Sequence, residues 1–423
     1  MNDCLWIDNI IKQELFPTMG CTDPAAIALA TAGATGLVKI DNPVDRLNNI
    51  ESIQIKLDCN IYKNAHSARI PKLKLAGINW AILLGAYVSN INYSLEIFEE
   101  LKNEDIKNVQ PFYDKIPINI DINYKKKNIF IKIFILWKDG STTAALIEDY
   151  HNSIKKIWKN NRLIFKDIKD IQKEERDYEN FSITKILNSI DDLSTETKQL
   201  LSKAIEINEK AATFIPETDE LGLEITKHLE STDFSQAKIK VMKGTYNRMK
   251  GYPIEIYACG GSGNHGITIA IGLKNSWNII ENDKSLLQGF AIAIVFLHFL
   301  KKETGVLTPI CGCAFSSALA LGFALTWGWG GSSKEILQCL NLISNTIGGI
   351  ICDGAKPSCA YKTGLGVEIA IESAYRAIKG ISIPKGDGIA CNNFDEFFDM
   401  AHKLHFDAMK NFDSALIQYM NNK

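Results

Sequence analysis

Residues 304–333 run TGVLTPICGCAFSSALALGFALTWGWGGSS without one charged side chain. A stretch of that length can cross a bilayer, so the chain must place it either in a membrane or inside a large protein core. It contains Pro309, is rich in Gly, Ser, Thr and Cys, and has no aromatic belt at its start. It therefore reads as a buried core helix, and the expectation is no membrane association. A chain of 423 residues with 46% hydrophobic and 23% charged side chains has the balance of a globular protein that can supply such a core. Lys and Arg number 47 against 49 Asp and Glu, a net charge of −2. No overall field attracts nucleic acid or an anionic membrane.

The patterns predict an α+β fold, with an N-terminal mixed α/β domain followed by a mostly helical, Gly/Ala-rich domain. Residues 5–17 read as a short amphipathic helix. In GCTDPAAIALATAGATGLV, Asp23 can cap a helix and Pro24 suits its first turn. Residues 51–58 alternate as a strand, 76–90 read as helix, and INIDINY, NIFIKIFIL and TTAALIED read as three further strands. From His151 to about Asn180 the composition turns charged and aperiodic, which suggests a linker or an edge segment. Helical patterns dominate after Ser182, ending in an amphipathic tail helix from Asp395 to Met420. The start, MNDCLWIDNI, carries two acids and no basic stretch, unlike a secretory signal. The chain is accordingly expected in the cytoplasm.

Ten cysteines in this length are too few for a disulfide scaffold. In a reducing compartment they are free thiols, metal ligands or catalytic groups. Cys21 lies in GCTDPAA, Cys311 and Cys313 in PICGCAFSSA, and Cys352 and Cys359 in ICDGAKPSCAYK, all Gly-rich settings. No CxxC pair of a zinc site occurs. Thiols from separate loops suit an iron–sulfur cluster, and three of them leave one iron open for Lewis-acid chemistry. Packed small hydrophobes are the other reading of the same cysteines. Gly261-x-Gly263-x-x-Gly266 matches the dinucleotide fingerprint, but 275–282 make a poor second strand for it.

The blocks GCTDPAAIALA, KNA, SGNHGITIAIGL, TPICGCA and ICDGAKPSCAYK, and the ending SALIQYM, stand in the same order as in the L-cysteine desulfidase family, which this chain resembles over nearly its whole length. That family is related to the alpha subunit of iron–sulfur L-serine dehydratase. The resemblance implies residues 1–165 as a part similar to the dehydratase beta chain and 166–423 as an alpha-like helical domain. It further implies a 4Fe-4S cluster with one open iron site, no pyridoxal phosphate, and conversion of L-cysteine to pyruvate, hydrogen sulfide and ammonia. L-serine dehydration by the same elimination is the alternative, as is a non-catalytic cluster-binding or redox-sensing relative. The substrate is a small amino acid, and the Gly/Ala-rich helices are compatible with a homodimer. Two departures stand out. Asp23 occupies a position where the family commonly has Glu, and HSARIPKLKLAG follows Lys63-Asn64-Ala65 where the family has a VGIPGT-like loop.

By family match, Cys311, Cys352 and Cys359 are the metal ligands, with Cys313 competing for its loop. Cys21 is the expected base or a fourth ligand. It precedes a helix, whose N-terminus lowers a thiol pKa. Ser262, Gly263, Asn264 and His265 lie between a strand-like and a helical stretch, where backbone N–H groups and side chains can hold a carboxylate. Thr22 and Asn64 are further substrate-binding candidates. Lys356, within CDGAK, is expected to hold the carboxylate or balance the cluster charge. His402 and His405 share a face of the tail helix without a third ligand nearby, so they read as packing residues.

Overall fold

The computed structural model describes residues 5–73, 75–99, 101–126, 128–167, 181–214 and 233–422. Helix α1 (Leu5–Glu14) gives way to strand β1 (Leu15–Met19) because Pro17 cannot continue a helix. Helix α2 (Thr22–Thr35) follows, with every residue buried. Next come α3 (Pro43–Asn48), β2 (Ile50–Asp58), α4 (Cys59–Ala65), α5 (Ile78–Val88) and α6 (Asn103–Val109). Strands β3 (Ile118–Asn123), β4 (Phe130–Trp137), β5 (Thr142–Glu148), β6 (Ile154–Lys159) and β7 (Arg162–Lys166) complete a six-stranded sheet. Its order is β3-β2-β4-β5-β6-β7, with only β2 and β3 parallel. The start of the segment read as linker or edge is thus β6 and β7, with β7 at the sheet edge, while 168–180 lie outside the described residues.

The alternation in β2 and β4 points Ile53, Ile55, Leu57, Ile131, Ile133 and Ile135 to one face, where they share a core with α2 and α5. The small residues of α2 let α5 come close. A Cβ on Gly85 of α5 would fall 2.3 Å from the Ala28 carbonyl oxygen of α2.

Among the described residues, the remaining chain has one strand, and its other named elements are helices. It comprises α7 (Ile183–Ser189), α8 (Thr195–Thr213), α9 (Asp233–Met249), β8 (Glu255–Cys259), α10 (Gly263–Ser276), α11 (Leu286–Thr304) and α12 (Phe315–Gly328), and then α13 (Ser333–Ile347), α14 (Cys359–Ile378), α15 (Phe394–Lys403) and α16 (Phe412–Asn421). The uncharged run becomes a loop followed by α12, which is buried on every side. Among the described residues no helix is long and apolar enough to cross a membrane. The expected single tail helix is broken. A π-helical turn at Leu404–Ala408 separates α15 from α16 and turns His405 into the core.

Strand β1 pairs antiparallel with β8, Leu15 opposite Cys259 and Met19 opposite Glu255. Ile7, Ile11 and Leu15 accordingly join the core of the helical part, alongside Phe290 and Ile294 of α11. This ribbon also disposes of the dinucleotide reading. The strand before Gly261 belongs to a two-stranded antiparallel pair, and 277–279 form a 3-10 turn rather than a second parallel strand.

Gly85→Ala should destabilise the protein. The added methyl meets backbone that cannot rotate away, so the cost lies toward the upper end of the about 1–3 kcal/mol typical of overpacking. That exceeds the roughly 1 kcal/mol gained in helix propensity. A thermal melt should move down; an unchanged melting temperature would mean the two helices separate freely.

Candidate functional site

The two thiol loops of the helical part are stitched to each other by main-chain bonds. Cys311 N–H donates to the Ile350 carbonyl at 2.7 Å and Cys352 N–H to the Pro309 carbonyl at 2.7 Å. These bonds flank an antiparallel bridge between Ile310 and Ile351 and bring Cys311 and Cys352 side by side. Cys359 opens α14 and lines the same cavity. The loop before it docks on the sheet-bearing half, because Gly354, at φ 96°, lies so close that a Cβ would be 2.6 Å from the Lys63 carbonyl oxygen. Cys352 Sγ then sits 3.9 Å from Asn64 Oδ1.

Cys21 is the residue before α2 and enters the cavity from the sheet-bearing half, with Thr22 beside it. Its thiol donates to Asp23 Oδ2 at 3.3 Å. Asp23 is itself buried, and its other oxygen meets Asn64 Nδ2 at 3.4 Å and His151 Nε2 at 3.3 Å. The expectation of a lowered thiol pKa is corrected here. Burial, and then the Asp23 carboxylate, push Cys21 well above the usual thiol range and outweigh the helix start. The departing loop HSARIPKLKLAG is well packed. Ile70 and Leu73 are buried, Pro71 lies against Gly20, and Lys72 N–H bonds the Gly251 carbonyl at 2.9 Å.

The SGNHG segment forms the start of α10 on the opposite wall. A serine before a helix usually caps it, yet Ser262 makes no capping bond, and its hydroxyl lies 3.4 Å from Cys313 Sγ. His265 Nδ1–H donates to the Cys259 carbonyl at 3.0 Å, and the other side of the ring lies beside Cys313, where its hydrogen bond favours the thiolate. Cys311 hydrogen-bonds both Cys313 and Cys352. Those bonds push Cys311 up, hold Cys313 well below the usual thiol range, and bring Cys352 to about 6. Gly312 must be small. A Cβ there would fall 2.8 Å from both His265 Nε2 and Lys301 Nζ. Ser262, Asn264 and His265 line the cavity, whereas Gly263 lies behind it, beneath the Arg248 guanidinium.

Several charged groups at the site carry no local sequence signal. Arg248, near the end of α9, is buried, lines the cavity and donates from Nη1 to Asn264 Oδ1 at 2.9 Å. Lys301 of α11 is buried close to Cys313 and Cys311, and burial lowers its pKa to about 8. Lys63, whose side chain is fully buried, bonds Asn60 Oδ1 at 2.9 Å and Asp413 of α16 at 2.6 Å, and its charge acts on Cys352. Lys356 does not line the cavity. It pairs with Asp353, and Lys362, one turn into α14, takes the position expected of it. The tail histidines lie apart from this site's lining: His402 Nδ1 bonds the Glu303 carbonyl and His405 Nδ1 the Ala401 carbonyl.

Among the described residues no three Cys, His, Asp or Glu side chains converge on a point that would hold a single metal ion. Cys21, Cys311, Cys313, Cys352 and Cys359 instead ring one cavity. Thiols spread around a space are the donor set of a polynuclear group, whose thiolates attach to different iron atoms. Buried Lys301 and Lys63, close to Cys311, Cys313 and Cys352, supply positive charge of the kind that several thiolates and a cluster require. On donor chemistry the residues fit an iron–sulfur cluster.

Residues 93–418 match the family of the serine dehydratase alpha chain. Full-length relatives carry the name UPF0597 protein. One from Caldanaerobacter subterraneus is 27% identical, covering 100% of this chain and 99% of its own length. Another from Clostridium perfringens is 28% identical over 98% of this chain and 97% of its own. A third, from Thermosipho africanus, is 28% identical over 98% and 99%.

The Lys63–Asp413 pair yields a stability prediction. Asp413→Ala leaves a fully buried ammonium without its carboxylate, which should cost about 3–5 kcal/mol. Adding Lys63→Met should recover much of that loss in a denaturant titration. A single variant as stable as the parent would show that Lys63 is solvated in solution.

Proposed function

The chain belongs to the serine dehydratase alpha chain family, and from that premise we propose that it is an iron–sulfur lyase that converts L-cysteine to pyruvate, hydrogen sulfide and ammonia by α,β-elimination. The observation that carries this reading is the ring of five thiols from separate segments around one cavity with buried cations. In this proposal Cys311, Cys352 and Cys359 hold a 4Fe-4S cluster, and Cys313 is kept by Ser262 and His265. When bound, the cluster supplies a Lewis acid for the leaving sulfur.

The protein's own groups do the rest. The uncapped start of α10, with Ser262 and Asn264, receives the substrate carboxylate. Cys21 takes the Cα proton. To do so it must first release its own proton, and Asp23 Oδ2 at 3.3 Å is the acceptor in place. His151 and Asn64 on the other Asp23 oxygen hold that carboxylate in position. The electrons of the broken Cα–H bond form the Cα=Cβ double bond as the Cβ–S bond breaks and sulfide leaves. The aminoacrylate so formed tautomerises to an imine, and water releases ammonia and pyruvate. L-Serine would undergo the same sequence with water as the leaving group, so the ratio of kcat/KM for the two amino acids defines the preference.

Protein purified without oxygen should be brown, contain iron and acid-labile sulfide, and form pyruvate from L-cysteine. Cys311→Ser, Cys352→Ser and Cys359→Ser should each lose iron and turnover together, while Cys313→Ser should retain iron. Full iron content in any of the first three removes that residue from the ligand set, and iron loss in the fourth exchanges the assignment within CGC. A brown protein that forms no pyruvate from either amino acid would end the lyase reading.

Cys21→Ala separates a base from a ligand. A base variant keeps iron and sulfide but stops both turnover and exchange of the Cα proton with deuterated solvent. Exchange at the parental rate would rule the thiol out as base.

A further inference from the structure

Arg248 is the charged group at the site that the elimination does not yet use. Its side chain is 3% exposed, and its Nε–H is buried with no hydrogen-bond partner. The hydrogen bond it makes is to a neutral group, Asn264 Oδ1. The groups acting on its charge are Cys21, Cys313, Asp23 and Cys359, all from the cavity wall. A guanidinium taken out of water without a bidentate anion is costly, and its planar fork matches a carboxylate. Its position is also enforced by sequence. A Cβ at residue 263 would fall 2.5 Å from both Arg248 Nε and Ile256 Cδ1 and 2.6 Å from Arg248 Cζ, so a larger residue there would have to displace the guanidinium and Ile256. The bond from Arg248 fixes the Asn264 amide as well. With Oδ1 occupied, the NH2 group is the part left to donate to a ligand.

We propose that Arg248 is the carboxylate anchor of the cavity, a substrate-binding residue that together with the Asn264 amide selects α-amino acids bearing a free carboxylate. The proposal deepens the lyase reading, but it stands on ligand binding and is tested apart from turnover. The guanidinium takes the carboxylate in its two-pronged geometry, and Gly263, the first glycine of SGNHG, leaves room for it.

The experiment uses full-length protein, cluster-free and anaerobically reconstituted, with pyruvate as the carboxylate probe and cysteamine as the thiol amine lacking a carboxylate. Pyruvate should raise the melting temperature of the parent in both forms, and Arg248→Gln should abolish that shift while iron and sulfide content stay parental. In turnover, Arg248→Gln should raise the KM for L-cysteine roughly ten- to a hundredfold with a smaller change in kcat, the loss expected for a charge-assisted hydrogen bond. Cysteamine should bind parent and variant alike. Arg248→Lys, which keeps the charge without the fork, serves if the glutamine variant fails to fold, and should bind pyruvate more weakly than the parent. Parental pyruvate binding in either variant overturns the proposal. So does parallel loss of iron and sulfide with pyruvate binding intact, since Arg248 would then be a counter-charge to the thiolates. Arg248-dependent pyruvate binding in a protein that eliminates neither L-cysteine nor L-serine would uphold the anchor and reject the lyase.

Discussion

Five main-chain positions hold the two parts of this protein in a single register. Leu15–Met19 pair with Glu255–Cys259, residues far apart in sequence. That ribbon ends beside Gly20 and so aims the start of α2, with Cys21, at the end of α9, where Arg248 lies. On its other strand it leads through a tight turn into α10, where Cys259 and Ser262 exchange main-chain bonds at 3.1 Å. The six-stranded sheet and the helical core each have their own apolar cluster. The cavity between GCTDP, SGNHG, CGC and CDGAKPSC exists because one short strand from the first part is pinned into the second.

Charge is the second organising constraint. The Asp23 carboxylate and the thiols of Cys313 and Cys352, held below the usual thiol range, concentrate negative potential in a buried space, and Arg248, Lys301, Lys63 and Lys362 lie near it on four different helices. Lys63 and Lys362 also pair with carboxylates, Asp413 and Asp353. Lys301 in particular is surrounded by thiols, and burial lowers it to about 8. A low-dielectric setting strengthens each such interaction. The arrangement supports the proposal of an anionic occupant.

The glycine- and cysteine-bearing loops were readable from sequence because their chemistry is local: a cap, a turn and a thiol stand within a few residues. Thr22, Asn64, Ser262, Asn264, His265, Cys311, Cys352 and Cys359 all line the cavity, the three cysteines marked out by the family resemblance and SGNHG by its strand-to-helix position. Arg248, Lys301 and His151 could not be read, since each is one polar residue whose partners come from elsewhere in the chain, and Lys63, although within the KNA block, showed nothing of its distant partner Asp413. Lys356 looked placed by its motif, but the first turn of α14 carries Lys362 to the cavity instead. Gly312 and Gly263 were a signal in hindsight. Each stands where a side chain from another helix needs the space. The α+β division was legible from the change in periodicity. The pairing of β1 with β8 was not, because Leu15–Met19 is too short and too remote from its partner to carry a pattern.

The bond from Lys63 to Asp413 spans 350 residues. On a ribosome, α4 emerges long before α16 exists, so this ammonium waits in water through most of the chain's synthesis. Only when residue 413 has left the exit tunnel can it be buried against Cys352. The wall that Lys63 shares with the CDG loop is therefore finished among the last events of folding, after every thiol of the cavity has already been made.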